Sequence, residues 1–172
     1  NVALEEQRDD LARRYEQRLA AELSERWPTT QGNGDGDERF DSATVLFVDM
    51  PHYASVAERM TPAELTDLIK RFYGSANDTA HLFGARYMQF VGEGLLAVFS
   101  DDTNTRTVNH GLRAARSALG LVESSHGIAK YLAATYPERA LPAFKVNIAL
   151  HAGAVALAVL EDPLHGSRQK LP

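Results

Sequence analysis

Apolar positions recur with two different periods along the chain, and the switches between those periods divide it into elements. Residues 3–26 are rich in Glu, Arg, Ala and Leu and carry Leu4, Leu11, Tyr15, Leu19 and Leu23 at spacings of seven and four, one narrow stripe on a helix. The rest of that helix is charged, so it has little stability alone. It is expected to dock either on its own domain or on a partner helix as a short dimer coil. Residues from Pro28 to Ser42, with Gly32, Gly34, Gly36, Asp35 and Asp37, read as a flexible polar linker. Counted from Asn33, Glu38 stands where a calcium loop needs its sharp-turn glycine, and Thr44 where it needs a bidentate acid, which excludes calcium.

Beyond the linker the pattern becomes regular. Thr44 to Val48 is a short continuous apolar run, as in a strand covered on both faces. Thr61-Pro62-Ala63-Glu64 is a capping box with proline at the first helical position. It opens a helix with Leu65, Leu68, Ile69, Phe72, Ala76 and Ala80 on one face, closing near Gly84. Strands follow at about 85–91 and 95–99, joined tightly through Gly92-Glu93-Gly94. A long helix after the turn Asp101–Thr105 carries Val108, Leu112, Ala115, Leu119 and Val122. After a connection from Pro137 to Pro142 come strands at 144–151 and 154–160, joined at Ala152-Gly153. The order β, α, β, β, α, β, β predicts an α+β fold, a ferredoxin-like sandwich with one layer of helices over a mainly antiparallel sheet. The expected division is an N-terminal helix at 1–27, a linker at 28–42 and one domain at 43–172.

Composition narrows the function classes. Hydrophobic residues at 44% and charged ones at 24% are the balance of a globular domain rather than a disordered tail. The net charge of −5, with no basic stripe interleaved with aromatics, speaks against a nucleic-acid partner. The chain has no cysteine, so disulfides and thiolate metal sites are excluded. No apolar run reaches the ~20 residues needed to span a bilayer, and no signal-peptide pattern opens the chain. The first residue is Asn1 rather than Met, so the chain reads as a fragment, with sensor or membrane domains to be sought elsewhere in the full protein. A cytoplasmic location, or the cytoplasmic side of a membrane-anchored protein, is expected.

Two acids stand out. Asp49 directly follows the buried run Val45–Val48, where a carboxylate is costly unless paired, hydrogen-bonded or metal-bound. The alternative is an N-cap for a helix starting near Pro51. Glu93 lies in the Gly-flanked hairpin, which a ferredoxin-like sheet sets beside the end of the first strand; otherwise it is an ordinary exposed turn residue. Together the two acids would hold two divalent cations over a triphosphate, one activating an attacking hydroxyl and both neutralising charge on the transferring group. The histidines His52, His81, His110, His126, His151 and His165 form no i,i+4 metal pair, and no Gly-x-Ser-x-Gly elbow exists. In the tail, His165, Arg168 and Lys170 either meet a phosphate or are simply solvated.

Three segments carry a family resemblance. Phe47-Val48-Asp49-Met50-Pro51-His52-Tyr53-Ala54 resembles the first metal motif of the class III adenylate and guanylate cyclases. Phe90-Val91-Gly92-Glu93-Gly94-Leu95-Leu96-Ala97-Val98-Phe99 resembles their second, and His151-Ala152-Gly153-Ala154-Val155-Ala156 is similar to their His-Thr-Gly strand turn. The segment Glu58–Leu65 also reads like the family, and the likeness runs in register from about residue 43 to 160.

The resemblance implies a class III cyclase-type sandwich that pairs head to tail, with active sites at the interface. It implies metal binding by Asp49, by the Met50 carbonyl and by Glu93, two magnesium or manganese ions if the domain is active, and otherwise none. It puts the backbone of Pro51, His52, Tyr53 and Ala54 against the triphosphate of ATP or GTP. A lysine that reads adenine, or an acid in guanylate cyclases, falls on Gln89. Several positions depart from the family. Glu93 is longer than the family aspartate, Gln89 hydrogen-bonds either purine, and Pro51 removes a backbone donor. The family segment with the asparagine and arginine that stabilise the transition state would follow Pro172, so no catalytic residue is assigned within the chain. The expected function is therefore a cyclase homology domain in signal transduction with impaired or absent turnover, acting as a regulatory or dimerising module. The alternatives are a working cyclase completed by residues outside this chain and an unrelated ferredoxin-like binding domain.

Overall fold

A computed structural model describes residues 38–91, 94–101, 108–161 and 168–171, with side chains resolved up to Leu157 except at Val91. The expected N-terminal helix at 1–27 lies outside the described residues. The first strand, β1 (Glu38–Asp49), begins inside the stretch read as linker. It is followed by a short helix α1 (Tyr53–Ala57), the long helix α2 (Pro62–Leu82), and strands β2 (Tyr87–Val91) and β3 (Gly94–Ser100). Then come the helix α3 (His110–Thr135), a 3-10 turn (Pro137–Arg139), β4 (Asn147–Glu161) and β5 (Arg168–Leu171). The strands form one sheet in the order β2-β3-β1-β4-β5, with every pairing antiparallel. The first four strands have the ferredoxin-like order expected from the sequence.

Successive side chains of a strand point to opposite faces, while directly paired residues share a face. Leu46 and Val48 of β1 therefore face the same way as Leu95, Ala97 and Phe99 of β3, and all five join the core under the helices. α2 meets them with Leu68, Ile69, Phe72, Tyr73, Ala76 and Ala80, the stripe expected from its spacing extended by Tyr73. Its capping box forms as read: the Thr61 amide donates to Glu64 Oε2 at 2.8 Å, and the Glu64 amide donates to Thr61 Oγ1 at 3.3 Å. The helix closes at Gly84, whose φ of 72° is left-handed and suits glycine.

Arg139, from the 3-10 turn, forks onto the same Glu64, with Nη2 donating to Oε1 at 2.8 Å and Nη1 to Oε2. These bonds, followed by the Thr61 amide, hold the Glu64 carboxyl at about 2 against an ordinary 4.5. A depressed folded pKa stabilises fully above the unfolded value and loses that contribution as pH falls through the folded one. Unfolding in urea at stepped pH should therefore show a loss on the acid side of pH 4.5, continuing toward 2, that is smaller in Glu64→Gln. Identical acid limbs in the two proteins would contradict this assignment.

Two expectations are corrected. The stripe Val108, Leu112, Ala115, Leu119 and Val122 does not face the core: Leu112 is 47% and Leu119 71% exposed. α3 instead buries His110, Ala114, Ser117, Leu121, Ser125, Ile128 and Leu132. The reason is a close approach to α2, where small side chains are needed: a Cβ on Gly120 would lie 2.9 Å from Thr79 Cγ2, and Ser75 Oγ donates to Ser124 Oγ at 2.7 Å. The buried Ser125 satisfies itself by donating to the Val122 carbonyl at 2.7 Å, so a polar letter sits on an inward face. The second correction concerns Ala152-Gly153, which is no turn. β4 runs straight through it, with Ala152 opposite Thr44 and Gly153 opposite Ala43, and a bulge in β1 between Phe40 and Ala43 takes up the irregularity.

Candidate functional site

The face of the sheet turned away from the helices holds the residues in question. Its register places Asp49 between Gly94 of β3 and Asn147 of β4. One step down the strands, Phe47 lies between Leu96 and Ala149, and Gln89 flanks Leu96. A further step brings Val45 between Val98 and His151, with Tyr87 beyond Val98. Farther along, Ala43, Leu96, Val98, Val155 and Leu157 bury one another in a second apolar cluster, with Phe40, Val45 and Tyr87 packed against it. At the Asp49 end the face stays open: Phe47 is 40% exposed, and Asn147 and Ala149 are exposed.

Asp49 is half-buried, and its side chain makes no hydrogen bond or ion pair among the described residues. It is not a helix cap, because α1 is preceded by His52, which makes no side-chain cap bond. Its Cα partner Gly94 is the residue that follows Glu93, which itself lies outside the described residues. Directly paired Cα atoms lie about 5 Å apart, so the start of β3 reaches Asp49 as the sequence reading required. Met50 is buried, and its carbonyl accepts from the Tyr53 amide at 3.3 Å, which leaves that oxygen a second lone pair. Pro51 is half-buried, and His52 and Ala54 are exposed. The Tyr53 side chain points the other way, into the core under the helices.

Hard divalent cations take oxygen donors. The free Asp49 carboxylate, the Met50 carbonyl and the amide of Asn147 offer that chemistry, and a glycine at the facing position adds no bulk. These donors have the chemistry that a magnesium or manganese ion takes. Among the described residues no three His, Cys, Asp or Glu side chains gather at one point, here or elsewhere.

Gln89 is half-buried, and its Oε1 accepts a hydrogen bond from the Tyr87 hydroxyl at 2.7 Å. Burial pushes the Tyr87 phenol up to about 12. Sequence reasoning missed Tyr87, Phe47 and Asn147 as members of this face. Period-two alternation marks Phe47 with Asp49 and Tyr87 with Gln89, but Asn147 needed the β1–β4 register, which no single-strand pattern carries.

The chain matches the family model described as the adenylate and guanylate cyclase catalytic domain over residues 36–163. It belongs to that family. Among curated proteins it is 32% identical over 54 residues to an uncharacterized protein of Mycobacterium tuberculosis, covering 31% of this chain and 14% of that protein. It is 28% identical over 68 residues to the soluble guanylate cyclase gcy-31 of Caenorhabditis elegans, covering 40% of this chain and 10% of that one. The chain thus matches only a small part of the length of these relatives. Among solved structures, the guanylyl cyclase Cya2 superposes with a TM-score of 0.61 at 18% identity, covering 80% of this chain and 66% of that one. The adenylyl cyclase CyaB from P. aeruginosa gives 0.61 at 16% identity, covering 79% and 67%. At these identities the structures establish the shared fold, which is the cyclase-type sandwich expected from the three motifs.

Proposed function

We propose that this domain binds a purine nucleoside triphosphate with divalent metal on the helix-free face, pairs with a second copy through that face, and serves signalling with little or no turnover of its own. The observation that carries the reading is Asp49: a carboxylate without a partner among the described residues, at the open end of the central strand, with glycine on one side and asparagine on the other. A metal bound there would neutralise triphosphate charge. The exposed Phe47, beside Leu96 and Ala149, supplies an apolar platform suited to a base or a partner surface. The same reading puts the domain in the cytoplasm or on the cytoplasmic side of a membrane, where ATP and GTP are found.

Weak turnover follows from the groups around the site. Gln89 stands where the family places a lysine or an acid, and Glu93 where it places the second aspartate. Asn109 and Arg113 are a helical turn apart, yet both are engaged at the far end of the sheet. Asn109 caps α3 by accepting from the Gly111 amide at 2.7 Å, and Arg113 donates to the carbonyls of Gly84 and Ser100. Neither is available to stabilise charge developing near Asp49. The expected result is no cyclic product from ATP or GTP with magnesium or manganese. Turnover above an Asp49→Ala control would overturn the reading.

A further inference from the structure

We propose that residues 3–26 fold back as a helix on the outward face of α3, antiparallel to it, so that this segment belongs to its own domain rather than to a dimer coil. The starting observation is the stripe leading into and along α3 that does not face the core. Val108, Leu112, Ala115, Leu119 and Val122 recur at alternating steps of four and three, the spacing of a coiled-coil seam. Its four large members are exposed, and nothing among the described residues covers them. A continuous apolar line of this kind marks a docking surface. The chain enters the sheet close by: β1 begins at Glu38, and Ser42 Oγ lies 2.9 Å from His110 Nε2 at the start of α3. Ten residues, 28–37, separate Trp27 from Glu38. They span at most about 35 Å, while the 26 residues of α3 rise ~39 Å. An antiparallel helix needs little of that span, whereas a parallel one would use nearly all of it.

In the antiparallel orientation the two apolar patterns coincide. Leu23 is set against Leu112, Leu19 against Ala115, Tyr15 against Leu119 and Leu11 against Val122. The seven-residue gap between Leu4 and Leu11 falls opposite the equal gap between Val122 and Ala129. Both gaps are polar, with Arg8 in one and the exposed His126 in the other. A parallel register would instead set Arg8 against Leu112 and Leu23 against His126, burying charge on one apolar seam and stranding the other. Charge also favours this occupant over a second copy of α3. Residues 1–27 hold seven acids and five bases, while α3 holds Arg113, Arg116 and Lys130 against Glu123 alone. The proposed pair brings opposite net charges together, and a pair of α3 helices brings like ones.

The test places cysteine pairs in the 172-residue chain, which has none of its own. Leu19→Cys with Ala115→Cys sets two thiols at facing positions, and mild oxidation should close a disulfide within one chain, mapped by peptide mass spectrometry. Leu4→Cys with Val108→Cys, which face each other only in the parallel arrangement, should stay reduced. The second measurement is amide exchange on the cysteine-free chain. Residues 3–26 should exchange at least about tenfold more slowly in the parent than in the double variant Leu112→Glu, Leu119→Glu. Both leucines are exposed in the domain itself, so Ala97 and Leu121 in the core should keep their parent rates. Disulfides that join two chains, closure of the parallel pair, or no closure of the antiparallel pair overturns the proposal. Slow exchange in 3–26 that persists in the double variant also overturns it, since a dimer coil would not depend on Leu112 and Leu119.

Discussion

Phe72→Ala is expected to destabilise the domain by about 3–5 kcal/mol, the range for removing a fully buried aromatic ring. Phe72 is 1% exposed at the middle of α2, with its ring 5.7 Å from those of both Tyr73 and Phe144. The Phe144 contact ties α2 to the segment that leads into β4, while Tyr73 stacks on Phe90 of β2 at 4.1 Å. Deleting the ring thus opens a cavity where the helical layer meets β2 and the segment leading into β4. Packed neighbours on three elements cannot all move in to fill it. Urea unfolding should show a lower midpoint with an unchanged slope. A loss below about 1 kcal/mol would mean that the helical layer is not packed as described.

Arg113→Met is the second large effect, about 2–4 kcal/mol, because it strands several carbonyls at once. The Arg113 side chain is 12% exposed. Its guanidinium donates to the carbonyls of Val108 at 2.8 Å, Phe83 at 3.2 Å and Gly84 at 2.9 Å, and also to Ser100. Asp101 lies 3.6 Å away and accepts from the His110 amide at 2.8 Å. His110 in turn joins β1, with its ring nitrogens 2.8 Å from Thr44 Oγ1 and 2.9 Å from Ser42 Oγ. One side chain therefore ties the end of α2, the end of β3 and the start of α3. Methionine keeps the apolar stem and removes every donor. Hydrogen exchange should quicken at Ser100 and around Gly84 while the Asp49 end stays protected. Uniform acceleration across the sheet would contradict a local role.

The fold was legible where local chemistry and tertiary packing agree. Thr61, Pro62 and Glu64 cap α2 as read, and the run Thr44–Val48 is the central strand, although only its helix-facing side is fully covered and Phe47 on the other face is 40% exposed. Legibility failed where tertiary packing reversed a local signal. On α3 the larger apolar residues Leu112 and Leu119 face outward, while Ser117 and Ser125 are buried together with Leu121, Ile128 and Leu132, and the crossing with α2 is close at Gly120 and Ser124. At Gly153 a glycine that reads as a turn is the accommodation of a bulge on the neighbouring strand. For the candidate site, the positions of Asp49 at the end of the central strand and of Gln89 on the neighbouring hairpin were legible from their motifs. Their company was not: Asn147 comes nearly a hundred residues later and meets Asp49 only through register, and the bond from Tyr87 to Gln89 is a side-chain fact.

The central claim is that Asp49 anchors metal and nucleotide on the helix-free face. Its most direct test is manganese-dependent ATP binding, measured by calorimetry on the parent chain and on Asp49→Asn, which is nearly isosteric and lacks the charge. The account predicts that ATP binds the parent only with the metal present and that Asn at 49 weakens binding by at least about tenfold, as expected when a metal-coordinating carboxylate is lost. Both proteins should melt at the same temperature without ligand, because the Asp49 side chain has no partner among the described residues to lose. Equal ATP affinity in the two proteins, or binding that ignores manganese, would contradict the account.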